Sequence, residues 1–108
     1  MEDIISALKE ARELITDHSK WCKGAFARDR VGIPVFPVDV NACCWCAEGA
    51  LGKVTTENEN YCLNECKTQL SKTVGRHFTF WHDADKRTHE EVLEVFDKTI
   101  RRLESELH

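Results

Sequence analysis

Four charged side chains in this sequence lie close to tryptophans. They are two arginines and two aspartates: Arg28, Asp29, Asp83 and Arg87. Trp81 and His82 come directly before Asp83. Arginine presents a planar fork that matches phosphate or carboxylate, and tryptophan presents a flat stacking face. These residue types predict a pocket for a small anionic, nucleotide-like ligand, formed by the four charged residues beside Trp81 and His82.

The same charges have a structural interpretation. Arg28 would pair with Asp83 or Asp85 and tie one segment to another, and Asp29 would only form a turn. Both interpretations stay open on the sequence alone. The pocket interpretation predicts that the four residues converge in space and that one arginine lacks a carboxylate partner.

The cysteines offer a second kind of site. Cys43 and Cys46 are separated by two residues, and Cys62 and Cys66 by three, which is close to the spacing of structural zinc sites. Cysteine is also among the most buried residue types and packs as a small hydrophobe. We expect core packing with reduced thiols, and neither a metal nor another cofactor; zinc is the alternative.

A thiol nucleophile is the third kind of site. Cys22 or Cys46 would pair with His77 or His82 as its base. No local feature of the sequence supports this arrangement, such as a glycine-flanked elbow around either cysteine. A hydrolase or thiol enzyme is therefore the weakest of the functions considered, and no catalytic residue is predicted.

Composition limits the class of protein. The chain has 108 residues and a formal net charge of −4, which fits one domain spanning residues 1–108. An acidic protein is a poor partner for duplex nucleic acid, because affinity for it depends on neutralising phosphates. No stretch approaches the roughly 20 apolar residues that span a bilayer. The acidic start predicts a cytoplasmic protein.

Periodicity predicts a mainly α fold: a compact bundle of about four helices with a small β-hairpin or extended segment near 25–36. The helices are expected at residues 3–17, 41–54, 57–71 and 89–106. Two capping boxes mark helix starts, one at Thr56 and one at Thr88. Residues 74–81 alternate as in a short strand or an extended connector.

The apolar stripes of these helices predict the core, which comprises Trp45, Leu51, Leu63, Val92, Phe96 and Ile100. Glycines at 49 and 52 lower helix propensity, so we expect them where another backbone packs closely. Three histidines are expected in solvent, namely His18, His89 and His108.

Three motifs carry a family resemblance. They are Trp-Cys-Lys-Gly-Ala-Phe-Ala-Arg-Asp at 21–29, Cys-Trp-Cys-Ala-Glu-Gly-Ala-Leu at 44–51, and Trp-His-Asp-Ala-Asp-Lys-Arg-Thr at 81–88, followed by a helical stretch at 90–100. In these motifs the chain resembles an uncharacterised family of small bacterial and phage proteins, a domain of unknown function. The resemblance covers nearly the whole chain and implies a compact domain without an established activity.

Two functions from different classes remain. The first is a non-enzymatic binding protein for the small anionic ligand. The second is a protein-interaction module of phage origin, which docks on and inhibits a host defence protein through an acidic helical surface. Acidic residues are frequent in the last predicted helix, at 89–106.

Overall fold

Two amphipathic helices at opposite ends of the chain pack against each other. In the computed structural model, which describes residues 1–107, α1 spans Glu2–Leu14 and α5 spans His89–Leu107. Arg12 donates two hydrogen bonds, of 2.8 and 3.1 Å, to the carboxylate of Asp97. The Nζ of Lys9 donates to Glu104 at 3.0 Å. Residue numbers rise on one helix as they fall on the other, so the two helices run antiparallel.

Three shorter helices complete the α structure: α2 at Ala47–Thr56, α3 at Leu63–Val74 and α4 at Phe78–His82. A 3-10 turn at His18–Lys20 follows α1. The helix α2 lies against α1 and supplies Ala50 and Leu51 to the core. The fold is mainly helical, as the sequence predicted.

A small antiparallel sheet forms the rest, with strands β1 at Ala27–Arg28, β2 at Pro34–Val35 and β3 at Cys44–Trp45. The order is β2-β1-β3, so β1 is central. The predicted turn connects β1 to β2: the carboxylate of Asp29 accepts hydrogen bonds from the backbone N–H groups of Val31 and Ile33, and Gly32 has φ +89°. The hairpin near 25–36 is confirmed.

The second predicted helix begins later than expected. Residues 41–46 form turns and β3, and α2 starts at Ala47 with Cys46 as its N-cap. The apolar content of this stretch resembled a buried helix, but its partner is the strand β1. Strand pairing here depends on residues distant in the chain, which local periodicity does not reveal.

The prediction that a helix begins at the Thr56 capping box was wrong. Thr56 is the last residue of α2, and the third helix begins at Leu63 rather than at 57. The other capping box is confirmed: the Thr88 hydroxyl accepts from the Glu91 N–H at 3.2 Å, and the Glu91 carboxylate accepts from the Thr88 N–H at 3.0 Å.

The segment 74–81 is not extended either. It contains the end of α3, a left-handed Gly75 and most of α4. The alternating aromatics divide between two surfaces of α4, with Phe78 buried in the core and Phe80 exposed.

Most of the predicted core is buried, with Leu63 only partly covered. His89 was wrongly expected in solvent. Its ring lies in the interior, where Nε2 donates to the carbonyl of Ile15 at 2.6 Å. His18 is exposed, and His108 lies outside the described residues. None of the helices described is long and apolar enough to cross a membrane.

Candidate functional site

Arg28 and Asp29 are both engaged within the hairpin. The guanidinium of Arg28 donates to the carbonyls of Gly32, at 2.9 Å, and Lys23, at 3.2 Å. Among the residues described it makes no ion pair, so the pairing of Arg28 with Asp83 or Asp85 is not what joins these segments. The carboxylate of Asp29 is used by the turn.

Arg87, in the third motif at 81–88, is also engaged by neighbouring protein groups. Its Nε donates to the carbonyl of Trp81 at 2.9 Å, and one terminal nitrogen donates to Glu91 at 3.0 Å. Its guanidinium carbon lies 3.9 Å above the Trp81 ring, a cation–π contact. These contacts hold the backbone in place just before α5 begins.

The first and third motifs do meet, but through other residues. The Nε1 of Trp21 donates to Nε2 of His82 at 3.1 Å, and the Nζ of Lys23 donates to the carbonyl of Ala84 at 2.6 Å. Asp29, Asp83 and Arg87 each line a different depression of the surface. The structure therefore does not gather the four predicted residues around one pocket.

We call the depression that contains Asp83 the His82 pocket. It has a volume of about 220 Å³. Its walls come from the loop before β1, the start of α2, and α4, and are formed by Gly24, Ala25, Phe26, Cys46, Glu48, Phe78, Thr79, His82 and Asp83. Of the predicted site residues, His82 and Asp83 lie here.

The ring of His82 lines this pocket and is held in place by hydrogen bonds. Its Nε2 accepts from Trp21 Nε1 and, at 3.3 Å, from the backbone N–H of Ala47 in the first turn of α2. A nitrogen that accepts carries no proton, so the proton lies on Nδ1, which donates to Asp83 at 3.1 Å. Burial lowers the pKa of His82, which keeps the ring neutral.

Two carboxylates give the pocket its polarity. The Glu48 carboxylate forms an ion pair with Lys67 and accepts a hydrogen bond of 3.4 Å from the Thr79 hydroxyl. The Asp83 side chain is 52% exposed and holds the His82 ring with one oxygen. Phe26, which is 55% exposed, supplies apolar surface, and the buried Phe78 lies next to the pocket. The arrangement suits a ligand with an apolar body and a hydrogen-bond-donating or cationic head.

The thiols near the pocket are poor nucleophiles. Burial raises the pKa of Cys46 to about 11, and its sulfur accepts from the Gly49 N–H at 3.2 Å as the cap of α2. Burial also raises the pKa of Cys22 to about 12, with further contributions from Cys44. The protonated thiol is the unreactive form, so neither cysteine is activated.

The four cysteines of the zinc alternative lie in different surroundings. Cys46 and Cys66 are buried, whereas Cys43 and Cys62 are exposed. Burial raises the pKa of Cys66 to about 12, which opposes the thiolate that a metal requires. Within residues 1–107 no group of three or more ligating side chains is placed to hold a metal ion.

Sequence reasoning missed Trp21, Glu48 and Thr79 as parts of this site. Glu48 is the one acid in an apolar stretch, and that isolation was the available signal. Nothing in the spacing of Trp21 and His82 shows that their rings are hydrogen-bonded. Their contact depends on the approach of β3 to the segment before β1, through the Cys22 N–H and the Trp45 carbonyl.

The His82 environment predicts acid sensitivity. Desolvation lowers the pKa of His82 below its usual 6.5, the ammonium of Lys23 adds to this, and Asp83 and Glu48 oppose it. The unfolded chain therefore binds this proton more readily than the folded protein. The free energy of unfolding should be constant above about pH 6.5 and fall as the pH drops toward the folded pKa, by at most about 1.4 kcal/mol per pH unit for one proton.

Urea unfolding between pH 5 and 7 measures this effect. The matched control is His82→Gln, because its amide oxygen replaces Nε2 as the acceptor and cannot titrate. The difference in unfolding free energy between the two proteins should shrink with acidification. Parallel pH profiles would show that His82 does not carry the dependence.

A family model matches residues 1–102 of the chain, and its description is a family of unknown function, DUF6197. Comparison with curated proteins and with solved structures finds no match.

Proposed function

Because the chain belongs to this family of unknown function, which supplies no activity to carry over, we propose its function from the pocket itself. It is a non-enzymatic binding protein whose His82 pocket takes an organic cation: an apolar stem ending in an ammonium or guanidinium group. The observation that carries the proposal is the combination of Glu48 and Asp83 with the exposed aromatic ring of Phe26.

The volume of the His82 pocket suits a ligand with a small apolar stem. An engineered apolar cavity of about 150 Å³ accepts benzene, so about 220 Å³ accommodates one ring or a short aliphatic chain with its head group. A cation near an aromatic face is attracted by the ring quadrupole, and this attraction is stronger where water is excluded. Phe26 is 55% exposed and offers such a face, whereas Phe78 is fully buried.

Electrostatics supports a positive head group. Among the described residues, neither lysine nor arginine lines the pocket, and burial keeps His82 neutral by lowering its pKa. The nearby ammonium of Lys67 is paired with Glu48, and that of Lys23 is bonded to backbone carbonyls. The second oxygen of Asp83 is available to a donor from the ligand.

The anionic, nucleotide-like ligand at Arg28 and Arg87 stays a prediction. Both guanidinium groups already donate to neighbouring protein groups. An anion in the His82 pocket would meet Asp83 instead of an arginine. An enzyme is disfavoured because the Nε2 lone pair of His82 is occupied by two donors.

Calorimetric titration with phenethylamine tests this function. The matched probes are phenethyl alcohol, which is neutral, and 3-phenylpropionate, which is anionic. We expect phenethylamine to bind, and Asp83→Asn to weaken it about tenfold or more, because a hydrogen bond to a charged group contributes about 1.5–3 kcal/mol.

The control variant is Asp85→Asn. Asp85 is exposed in the same loop but does not line the pocket, so its substitution should leave the affinity unchanged. Equal binding of the three probes, or tighter binding of 3-phenylpropionate, would refute the cationic specificity.

A protein-interaction module is the second candidate, and one observation favours it at a different surface than the sequence suggested. On α5, acidic residues are largely paired, Asp97 with Arg12 and Glu104 with Lys9. The large exposed apolar side chains concentrate instead in the hairpin region, where Val40 is 96% exposed. Contiguous exposed apolar surface is typical of protein-binding sites. Docking on a host defence protein would use this region.

A further inference from the structure

A second depression adjoins the His82 pocket, and we call it the hairpin groove. It has a volume of about 530 Å³ and is lined by Gly24, Ala25, Phe26, Pro34, Val35, Phe36 and Asp39. Its first three lining residues, 24–26, also line the His82 pocket. The two depressions therefore adjoin one another along this short segment, which forms part of the wall of each.

Apolar side chains stand in solvent around this shared wall. Phe26 is 55% exposed and Phe36, in the hairpin groove, is 80% exposed. Exposed phenylalanines beside two concave surfaces offer more apolar area than a single small ligand in the His82 pocket would cover.

The charged residues that line the combined surface are all acidic. Glu48 and Asp83 line the His82 pocket, and Asp39 lines the hairpin groove. Asp39 uses one oxygen to accept from the Asn41 N–H at 2.7 Å. Across the part of the chain that the structure describes, no lysine or arginine lines either depression. The complement to this surface is apolar and positively charged.

We propose that the two depressions together bind an extended segment of another protein. A lysine or arginine side chain of that segment enters the His82 pocket, and an apolar side chain enters the hairpin groove. The proposal rests on the proposed function, because the cation in the pocket is then the head of a protein side chain. In an extended segment, side chains two residues apart lie on the same face about 7 Å apart, which allows both to point at one surface.

Fluorescence polarisation with labelled peptides tests the proposal. The probe is an octapeptide of glycine and serine with one arginine and, two positions later, one phenylalanine. One comparison peptide has glutamate in place of arginine, and another has serine in place of phenylalanine. We expect the first peptide to bind at least tenfold more tightly than either comparison peptide.

Two variants separate this proposal from the proposed function. Phe36→Ser should weaken the peptide about tenfold and leave phenethylamine unchanged, because Phe36 lines only the hairpin groove. Asp83→Asn should weaken both ligands. The control is Val31→Ser, since Val31 is exposed in the hairpin but lines neither depression, and it should leave both affinities unchanged.

The outcomes are distinguishable. If phenethylamine binds but the phenylalanine of the peptide adds nothing, the extended-segment proposal fails and the proposed function stands. If the peptide binds equally with arginine or glutamate, the extended-segment proposal fails, and the titration with phenethylamine and its matched probes alone decides the proposed function. If the free protein is a dimer that Phe36→Ser converts to a monomer, a second copy covers the groove and the proposal is overturned.

Discussion

Replacement of Gly49 by alanine is expected to lower the free energy of unfolding by about 3 kcal/mol or more, the upper range for overpacking a close contact. The reason is the approach of the hairpin backbone to α2. A Cβ at this position would lie 2.7 Å from the carbonyl carbon of Phe26 and closer still to its oxygen. That oxygen accepts from the Cys46 N–H at 3.2 Å, so neither strand nor helix can retreat without losing a bond.

Gly52→Ala is the matched control, because it lies one turn later on the same helix. A Cβ there would come no closer than 3.7 Å to the ring of Pro37. Replacing a helical glycine with alanine gains up to about 1 kcal/mol of helix propensity, so this variant should be neutral or more stable. Urea unfolding of both variants measures the contrast. Similar stabilities of the two would show that the Phe26 backbone moves aside at little cost.

Replacement of Phe96 by alanine is expected to cost roughly 3–5 kcal/mol in unfolding free energy, as for other buried phenylalanines. Phe96 is completely buried in α5 and meets Phe78 edge to face, with ring centroids 6.4 Å apart. The cost combines the lost burial of the ring with the cavity left behind. Phe78 also adjoins the His82 pocket, so phenethylamine binding should weaken in the same variant.

Leu93→Ala, on the same helix, is the control for Phe96. Leu93 is only partly buried against the core, so a smaller cost is expected. Chemical unfolding at one pH compares the two. A loss below about 1 kcal/mol for Phe96→Ala would mean that this face of α5 carries less of the core than its burial indicates.

The long helices were predictable from sequence because their pattern is local. In α5, Val92, Phe96, Thr99 and Leu103 recur at helical spacing and are all buried. The capping box that starts this helix involves residues three apart, Thr88 and Glu91. No distant partner is required for either signal, so the sequence contains all the information needed.

The segment 41–46 was not predictable by the same reasoning. Its cysteines, alanine and tryptophan have the composition of a buried helix, but Cys44 pairs with Arg28 across the sheet. A strand of two residues is too short to show an alternating pattern. Its conformation is decided by a partner sixteen positions earlier in the chain.

The site was predictable only in part. His82 and Asp83 were chosen because histidine and aspartate beside a tryptophan suggest chemistry, and both line the pocket. The roles of Arg28 and Arg87 depend on which backbone carbonyls come within reach. Side-chain type identifies a donor, but only the folded backbone determines whether that donor is already used.

The antiparallel pairing of α1 with α5 has a consequence during translation. The helix α1 leaves the ribosome before α5, the partner that supplies Asp97 and Glu104, has been synthesised. At elongation rates of about 5–20 residues per second, the interval between the two is roughly 5–20 seconds. The apolar face of α1 that bears Leu8 and Ala11 therefore waits incompletely covered, and the nascent chain acquires its native stability only in a late, cooperative step.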